Sequence, residues 1–86
     1  MEQSDFRNNT SQSRYELHIG PLFAYASYRV SDKTLYIDYV EAPPELRGTG
    51  AAGQLMEHIV SDAKTKHLMI IPVCSYAGSW LRRHTP

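Results

Sequence analysis

The stretch Pro43-Pro44-Glu45-Leu46-Arg47-Gly48-Thr49-Gly50-Ala51-Ala52-Gly53 decides how the 86-residue chain is read. A stiff polar turn runs into three glycines, and a helix-forming segment begins among them. Glycine permits positive φ and lets backbone come close to a ligand. The first turn of a helix carries N–H groups with no partner in the helix, at the positive end of its dipole, so an anion is favoured there. A β-rich segment precedes the turn. Strand, turn and helix in that order point to phosphate or pyrophosphate binding.

Two phosphate patterns can be set against these residues. Gly48-x-Gly50-x-x-Gly53 satisfies the letters of the dinucleotide fingerprint. That fold also needs an Asp or Glu about 20 residues further on, at the end of the next strand. Here the next strand ends Ile70-Ile71-Pro72-Val73-Cys74, with no acid in it. The Pro-Pro-Glu-Leu spacer also holds strand and glycines apart, whereas a dinucleotide turn is tight. No Lys-Ser/Thr pair follows the glycines, which excludes a Walker-type loop.

Working outward, Tyr15, Leu17 and Ile19 alternate with Glu16 and His18, the period of a half-buried strand. Gly20-Pro21 marks a turn, and Leu22–Val30 reads as a second strand, buried on both faces along part of its length. Ser31-Asp32-Lys33 turns the chain into a third strand, Thr34–Glu41, rich in aromatic and β-branched residues. Such short links make these three an antiparallel meander. After the glycines, Ala52, Leu55, Met56, Ile59, Val60 and Ala63 recur at helical spacing, predicting a helix over Gly50–Lys66. A fourth strand over Leu68–Val73 would then lie parallel to the third through a right-handed crossover. Tyr76–His84 reads as a short terminal helix with Ser75 as its N-cap. The expected fold is α/β, a small mixed sheet of about four strands with one long and one short helix. Residues 1–13, polar apart from Phe6, read as a flexible tail before a single domain over 14–86.

Composition narrows the function. With 42% hydrophobic and 21% charged residues the chain is an ordinary globular one, and its net charge is zero. The basic stripe that nucleic acid requires is missing, and no apolar run approaches membrane-spanning length. One cysteine forms no disulfide within the chain, and no secretory h-region opens it, so a cytoplasmic location is expected. His18, His58, His67 and His84 lack metal-ligand spacing, so no metal is expected.

Arg47-Gly48-Thr49-Gly50-Ala51-Ala52 resembles the Arg/Gln-x-x-Gly-x-Gly/Ala signature of the GNAT superfamily of acetyl-CoA-dependent N-acetyltransferases. Glu41–Gly48 looks like the strand exit and loop of that family, and Pro72–Tyr76 with Trp80–His84 resembles the ending of its short, minimal subgroup. The resemblance covers Tyr15 to His84. It implies acetyl-CoA or CoA as cofactor, with the pantetheine arm lying where the parallel strands splay apart. Carried over by position, Arg47, Gly48, Thr49, Gly50, Ala51 and Ala52 become the pyrophosphate cradle, chiefly through backbone N–H. Val40, Glu41 and Ala42 would pair their backbone with pantetheine amides.

Acetyl transfer to an amine needs a neutral amine, a partner for the thioester oxygen and a proton for the leaving thiolate. Asp38 and Glu41 are the acids on the third strand, and Glu41, nearer the turn, is the candidate base. Cys74, at the end of the fourth strand and near a helix N-terminus, is the candidate for a transient acetyl-cysteine. The chain departs from the family where larger members often carry a Tyr on the last helix. Ser79-Trp80-Leu81-Arg82 stands there, and Leu81 donates no proton; Tyr76 is the nearest substitute. The acceptor is an unidentified amine. A chain this short lacks the segments that build acceptor pockets, so the acceptor would lie on an open surface or on one completed by a homodimer or a partner protein. The alternative is a non-catalytic CoA-binding or protein-interaction module.

Overall fold

A computed structural model describes residues 4–84. Its sheet has five strands in sequential order: β1 (Ser4–Asn9), β2 (Arg14–Ile19), β3 (Leu22–Ser31), β4 (Thr34–Glu41) and β5 (Met69–Pro72). Helix α1 (Ala51–Thr65) crosses from β4 to β5, and α2 (Ser75–His84) follows β5. The first four strands are antiparallel, and β4 and β5 are parallel. The meander, the crossover and both helices therefore stand as expected, with one strand more.

That extra strand corrects the expectation of a flexible tail through Ser13. Residues 4–9 pair with β2 along its whole length, from Ser4↔Ile19 to Asn9↔Arg14. Composition undercounts such a segment, because an edge strand is held by its ladder and needs few apolar anchors. Phe6 supplies one, stacked on Tyr15 and on His58 of α1 at centroid separations of 5.5 and 4.8 Å. Asn8 accepts a hydrogen bond from the Tyr28 hydroxyl (2.7 Å), and Asn9 donates one to Glu16 (2.9 Å).

The turns follow from local chemistry. Gly20 takes φ +60° at the first position of the two-residue β2–β3 link, and Asp32 and Lys33 take φ +50° and +62° in the β3–β4 hairpin. Two successive positive φ values match the twist of paired strands, and polar residues fill both positions here. Between β3 and β4 the register passes from Ser27↔Tyr39 to Tyr28↔Ile37, leaving Asp38 as the extra residue of a bulge. Arg29 holds Asp38 through two hydrogen bonds of 2.8 Å and lies over the Tyr36 ring.

Leu17, Ala24, Ala26, Leu35 and Ile37 face the helices and meet Leu55, Met56, Ile59, Ala77 and Trp80 in one buried cluster. Full burial of each large aliphatic side chain contributes about 1.5–3 kcal/mol. Tyr15, also in the cluster, donates its hydroxyl to Asp62 of α1 (3.0 Å); burial, and then that carboxylate, push its ionisation well above the ordinary tyrosine range.

The opposite face of the sheet carries the alternate residues, and among the described residues no helix covers it. Alternation puts Glu16 on the face opposite Tyr15 and Leu17, yet it is only 5% exposed. Arg14 and His18 (2.7 Å) pair with its carboxylate, alongside Asn9. Burial alone would raise its pKa, but the hydrogen bonds from His18, Asn9 and Arg14 and the Arg14 charge outweigh that and hold it at about 2. A depressed carboxylate stabilises the fold above its ordinary pKa of 4.5, and that contribution is lost as pH falls from there toward about 2. Urea midpoints measured from pH 7 to pH 2 should thus fall steeply below pH 4.5 in the wild type and less steeply in a Glu16→Gln variant. Equal acid limbs would show that the network adds no stability.

Candidate functional site

The site is built where β4 leaves the sheet. Pairing between β4 and β5 ends at Ile37↔Pro72, while β4 continues to Glu41. Val73 and Cys74 both donate their N–H to the Ile37 carbonyl (3.0 Å), and the chain then turns into α2. The two parallel strands therefore part beyond Ile37, and residues 38–41 have no β5 partner among the described residues.

Past Glu41 the chain makes a single 3-10 turn, Pro44–Leu46, with Leu46 buried as its anchor. Arg47 folds back on this connection, donating from Nε to the Ala42 carbonyl (3.2 Å) and reaching Glu41 from Nη2 (3.5 Å). Gly48 and Gly50 take φ +81° and +86°, a region that costs L side chains about 1–2 kcal/mol. A Cβ built on either would meet no atom within 4 Å, so both glycines border open space. Gly53 serves differently, because a Cβ there would touch the Trp80 indole nitrogen at 3.4 Å. The third glycine brings α2 up to α1.

Hydrogen bonding around the turn separates occupied donors from free ones. Thr49 Oγ1 donates to the Leu46 carbonyl and accepts from the Ala51 N–H (3.3 Å). Gln54 N to Gly50 O (3.0 Å) is the first bond of the helix proper. Among the described residues, the N–H groups of Gly48, Gly50, Ala52 and Gly53 donate to no protein acceptor. They border a groove of about 300 Å³ whose lining includes Ala42, Arg47, Gly48, Gly50, Ala52 and Tyr76. Unpaired helix-start amides beside an open groove suit a pyrophosphate.

Several expected site residues thus come together. Ala42, Arg47, Gly48, Gly50, Ala51 and Ala52 share the groove, whereas Val40 and Thr49 do not line it. Val40 packs against the core, and Thr49 organises the turn from behind. Glu41 lines a second groove, also of about 300 Å³, with Pro21, Leu22, Phe23, Tyr25 and Pro43. Its carboxylate accepts from the Tyr39 hydroxyl (2.6 Å) and from Ala42 N–H (3.3 Å). The Tyr39 hydrogen bond is the main cause of a lowered pKa; desolvation opposes it, and Ala42 and Arg47 add to the lowering. At neutral pH Glu41 is an anion. Asp38, the other acid on the strand, is committed to Arg29.

Cys74 is partly buried against the core and lines neither groove. Its carbonyl accepts the first hydrogen bond of α2, from Gly78 N–H (3.0 Å), so Cys74, and not Ser75, occupies the N-cap position. Tyr76, two residues on, lines the glycine groove. Burial raises its pKa, with Arg83 opposing, so it is a neutral phenol at physiological pH. Sequence spacing named Tyr76 only as a substitute acid; its place in the groove depends on how α2 docks. His84 stacks on Trp80 at 4.0 Å and bonds the Trp80 carbonyl (2.8 Å), which closes the last turn of α2.

Against known families, residues 14–86 match the model of a GCN5-related N-acetyltransferase family. Strand β1 lies before the matched region. No curated protein matches the chain. A mixed sheet with one parallel pair, a glycine turn opening the crossover helix and a family match over most of the length agree, and the chain belongs to the GCN5-related N-acetyltransferase family.

Proposed function

We propose that the protein is an acetyl-CoA-dependent N-acetyltransferase acting by direct transfer to an amine. The observation that carries this is the groove of free amides at Gly48, Gly50, Ala52 and Gly53, open beside the gap between β4 and β5. Acetyl-CoA bound there would supply a thioester carbonyl to the acceptor. The turn amides would hold pyrophosphate, and the Val40–Ala42 backbone would pair with the pantetheine arm. Arg47 sits at the groove with its side chain 64% exposed, free to add charge to the phosphates while it braces the strand exit. Tyr76, a neutral phenol on the same groove, would protonate the departing thiolate. Glu41 would attract the protonated amine, and water would carry off its proton before attack. Absence of any membrane-crossing helix among the described residues fits a cytoplasmic enzyme.

The position of Cys74 outside the groove lining favours direct attack over an acetyl-cysteine. Release of CoA thiol in the presence of an alkylamine tests both steps. Tyr76→Phe should lower kcat about 100-fold, the range of a lost general acid, with the KM for acetyl-CoA little changed. Cys74→Ala separates the routes: retained turnover supports direct transfer, and lost turnover with an acetylated wild-type thiol would replace it with two steps. The other reading, a CoA-binding module, is favoured by Leu81 at the family's usual Tyr position. It requires acetyl-CoA binding with no release of CoA thiol in the presence of any amine.

A further inference from the structure

The second groove, at the open face of the sheet, has a composition that the cofactor does not account for. Pro21, Leu22, Phe23, Tyr25 and Pro43 give it apolar and aromatic walls, and Glu41 is the one charged residue in its lining. Phe23 and Tyr25 are neighbours on that face, their ring centroids 6.1 Å apart, and Tyr39 follows Tyr25 at 6.3 Å. These rings already hold a cation, since the Arg14 guanidinium lies 5.3 Å from the Phe23 centroid and 5.2 Å from that of Tyr25. Aromatic faces attract cations through their quadrupole.

The rings are held by their neighbours on β2. Glu16 pins Arg14 and His18; Arg14 caps both rings, and His18 stacks on Phe23 at 4.8 Å. Asn9 of β1 completes the network on Glu16, so the strand that precedes the family match supports this face. Glu41 joins the two grooves, for its neighbour Ala42 lines the glycine groove and it lines the other. Its carboxylate keeps acceptor capacity. Tyr39 takes Oε2, Ala42 and Arg47 reach Oε1 at 3.3 and 3.5 Å, and the side chain is 38% exposed. An ionised carboxylate offers about four lone-pair sites.

We infer that this groove is the acceptor subsite, and that it takes a primary alkylammonium chain whose far end is uncharged. The ammonium lies at Glu41, beside the cofactor groove, and the methylenes run along Phe23 and Leu22 toward Pro21. No second acid lines the groove to hold a second ammonium, and the cation against its rings, Arg14, is already paired with Glu16. Diamines and free amino acids are therefore disfavoured, and a simple alkylamine or a lysine side chain within a polypeptide is favoured. The inference rests on acetyl-CoA occupying the glycine turn.

Nuclear magnetic resonance of the full chain reads the two grooves separately. Acetyl-CoA should shift the amides of Gly48 and Gly50, whereas n-butylammonium and Nα-acetyl-lysine methylamide should shift the Phe23 and Tyr25 ring signals. Glu41→Gln should weaken the amine titration about tenfold, the scale of one charge-assisted hydrogen bond. Putrescine, free lysine and 1-butanol should bind more weakly than the two monoamines. Tighter binding of the blocked lysine would assign the acceptor to a polypeptide, and tighter n-butylammonium to a free amine. Either supports the subsite. Unmoved Phe23 and Tyr25 signals, or equal titration by 1-butanol, would overturn it even if acetyl-CoA moved Gly48 and Gly50. Unmoved glycine amides with a charge-selective amine titration would instead remove the acetyl-CoA reading and leave a cation groove.

Discussion

A Gly50→Asp variant is expected to lose acetyl-CoA affinity by about 100-fold or more, equivalent to about 2.7 kcal/mol. Gly50 sits at φ +86° as the N-cap of α1, with open space where a Cβ would stand. An Asp side chain would project into that space and place a carboxylate against pyrophosphate. Two like charges 4 Å apart near a protein surface repel by about 4 kcal/mol, enough to outweigh the favourable effect of an acid at a helix start. Gly50→Ala separates charge from backbone strain. It should cost about 1–2 kcal/mol in stability for the positive φ, and should weaken binding much less than Asp does. Calorimetric titration of both variants provides the comparison, and equal losses would mean that the turn's conformation, not its anion preference, governs binding.

Trp80→Ala is expected to destabilise the fold by about 3–5 kcal/mol, the usual cost of removing a large buried aromatic side chain. Trp80 is 7% exposed, touches Gly53 at the start of α1 and carries the stacked His84. A domain of this size has roughly 0.05–0.15 kcal/mol of stability per residue, so the loss would take much of the total. Because α2 also carries Tyr76, any folded remnant should bind acetyl-CoA poorly. Trp80→Phe keeps the ring against Gly53 and should recover most of both properties. Trp80 is the single tryptophan, so unfolding must be followed by circular dichroism. A Trp80→Ala protein with an unchanged urea midpoint would show that α2 is not locked to α1 through this contact.

What the sequence disclosed, and what it hid, divides along chain distance. Period-2 alternation located β2, β3 and β4, the spacing of Leu55, Met56, Ile59 and Ala63 located α1, and short links fixed the antiparallel order. The glycine turn was legible because its elements are contiguous: Arg47 through Gly53 need only a strand before and a helix after. β1 was missed because its stability lies in pairing with β2 and in Phe6 meeting Tyr15 and His58, none of which polar composition registers. Alternation placed Glu16 on the correct face but not in its network, which draws on β1 and β2 together. The groove at Glu41 escaped notice for the same reason, since Pro21–Tyr25 and Glu41–Pro43 meet only when β3 and β4 pair. At α2 the local pattern misled by one residue: Ser75 has the better capping chemistry, but the turn off β5 starts the helix from Cys74.

Acetyl-CoA binding at the turn between β4 and α1 underlies every step proposed above. Its most direct measurement is the melting temperature of the wild-type protein with and without millimolar acetyl-CoA. Ligand at 100 times its Kd adds about 2.7 kcal/mol, which in so small a domain corresponds to a rise of about 10 °C or more. That rise is expected in the wild type and not in Gly50→Asp. An unchanged melting temperature for the wild type at saturating ligand would contradict it and leave the family's fold without its cofactor.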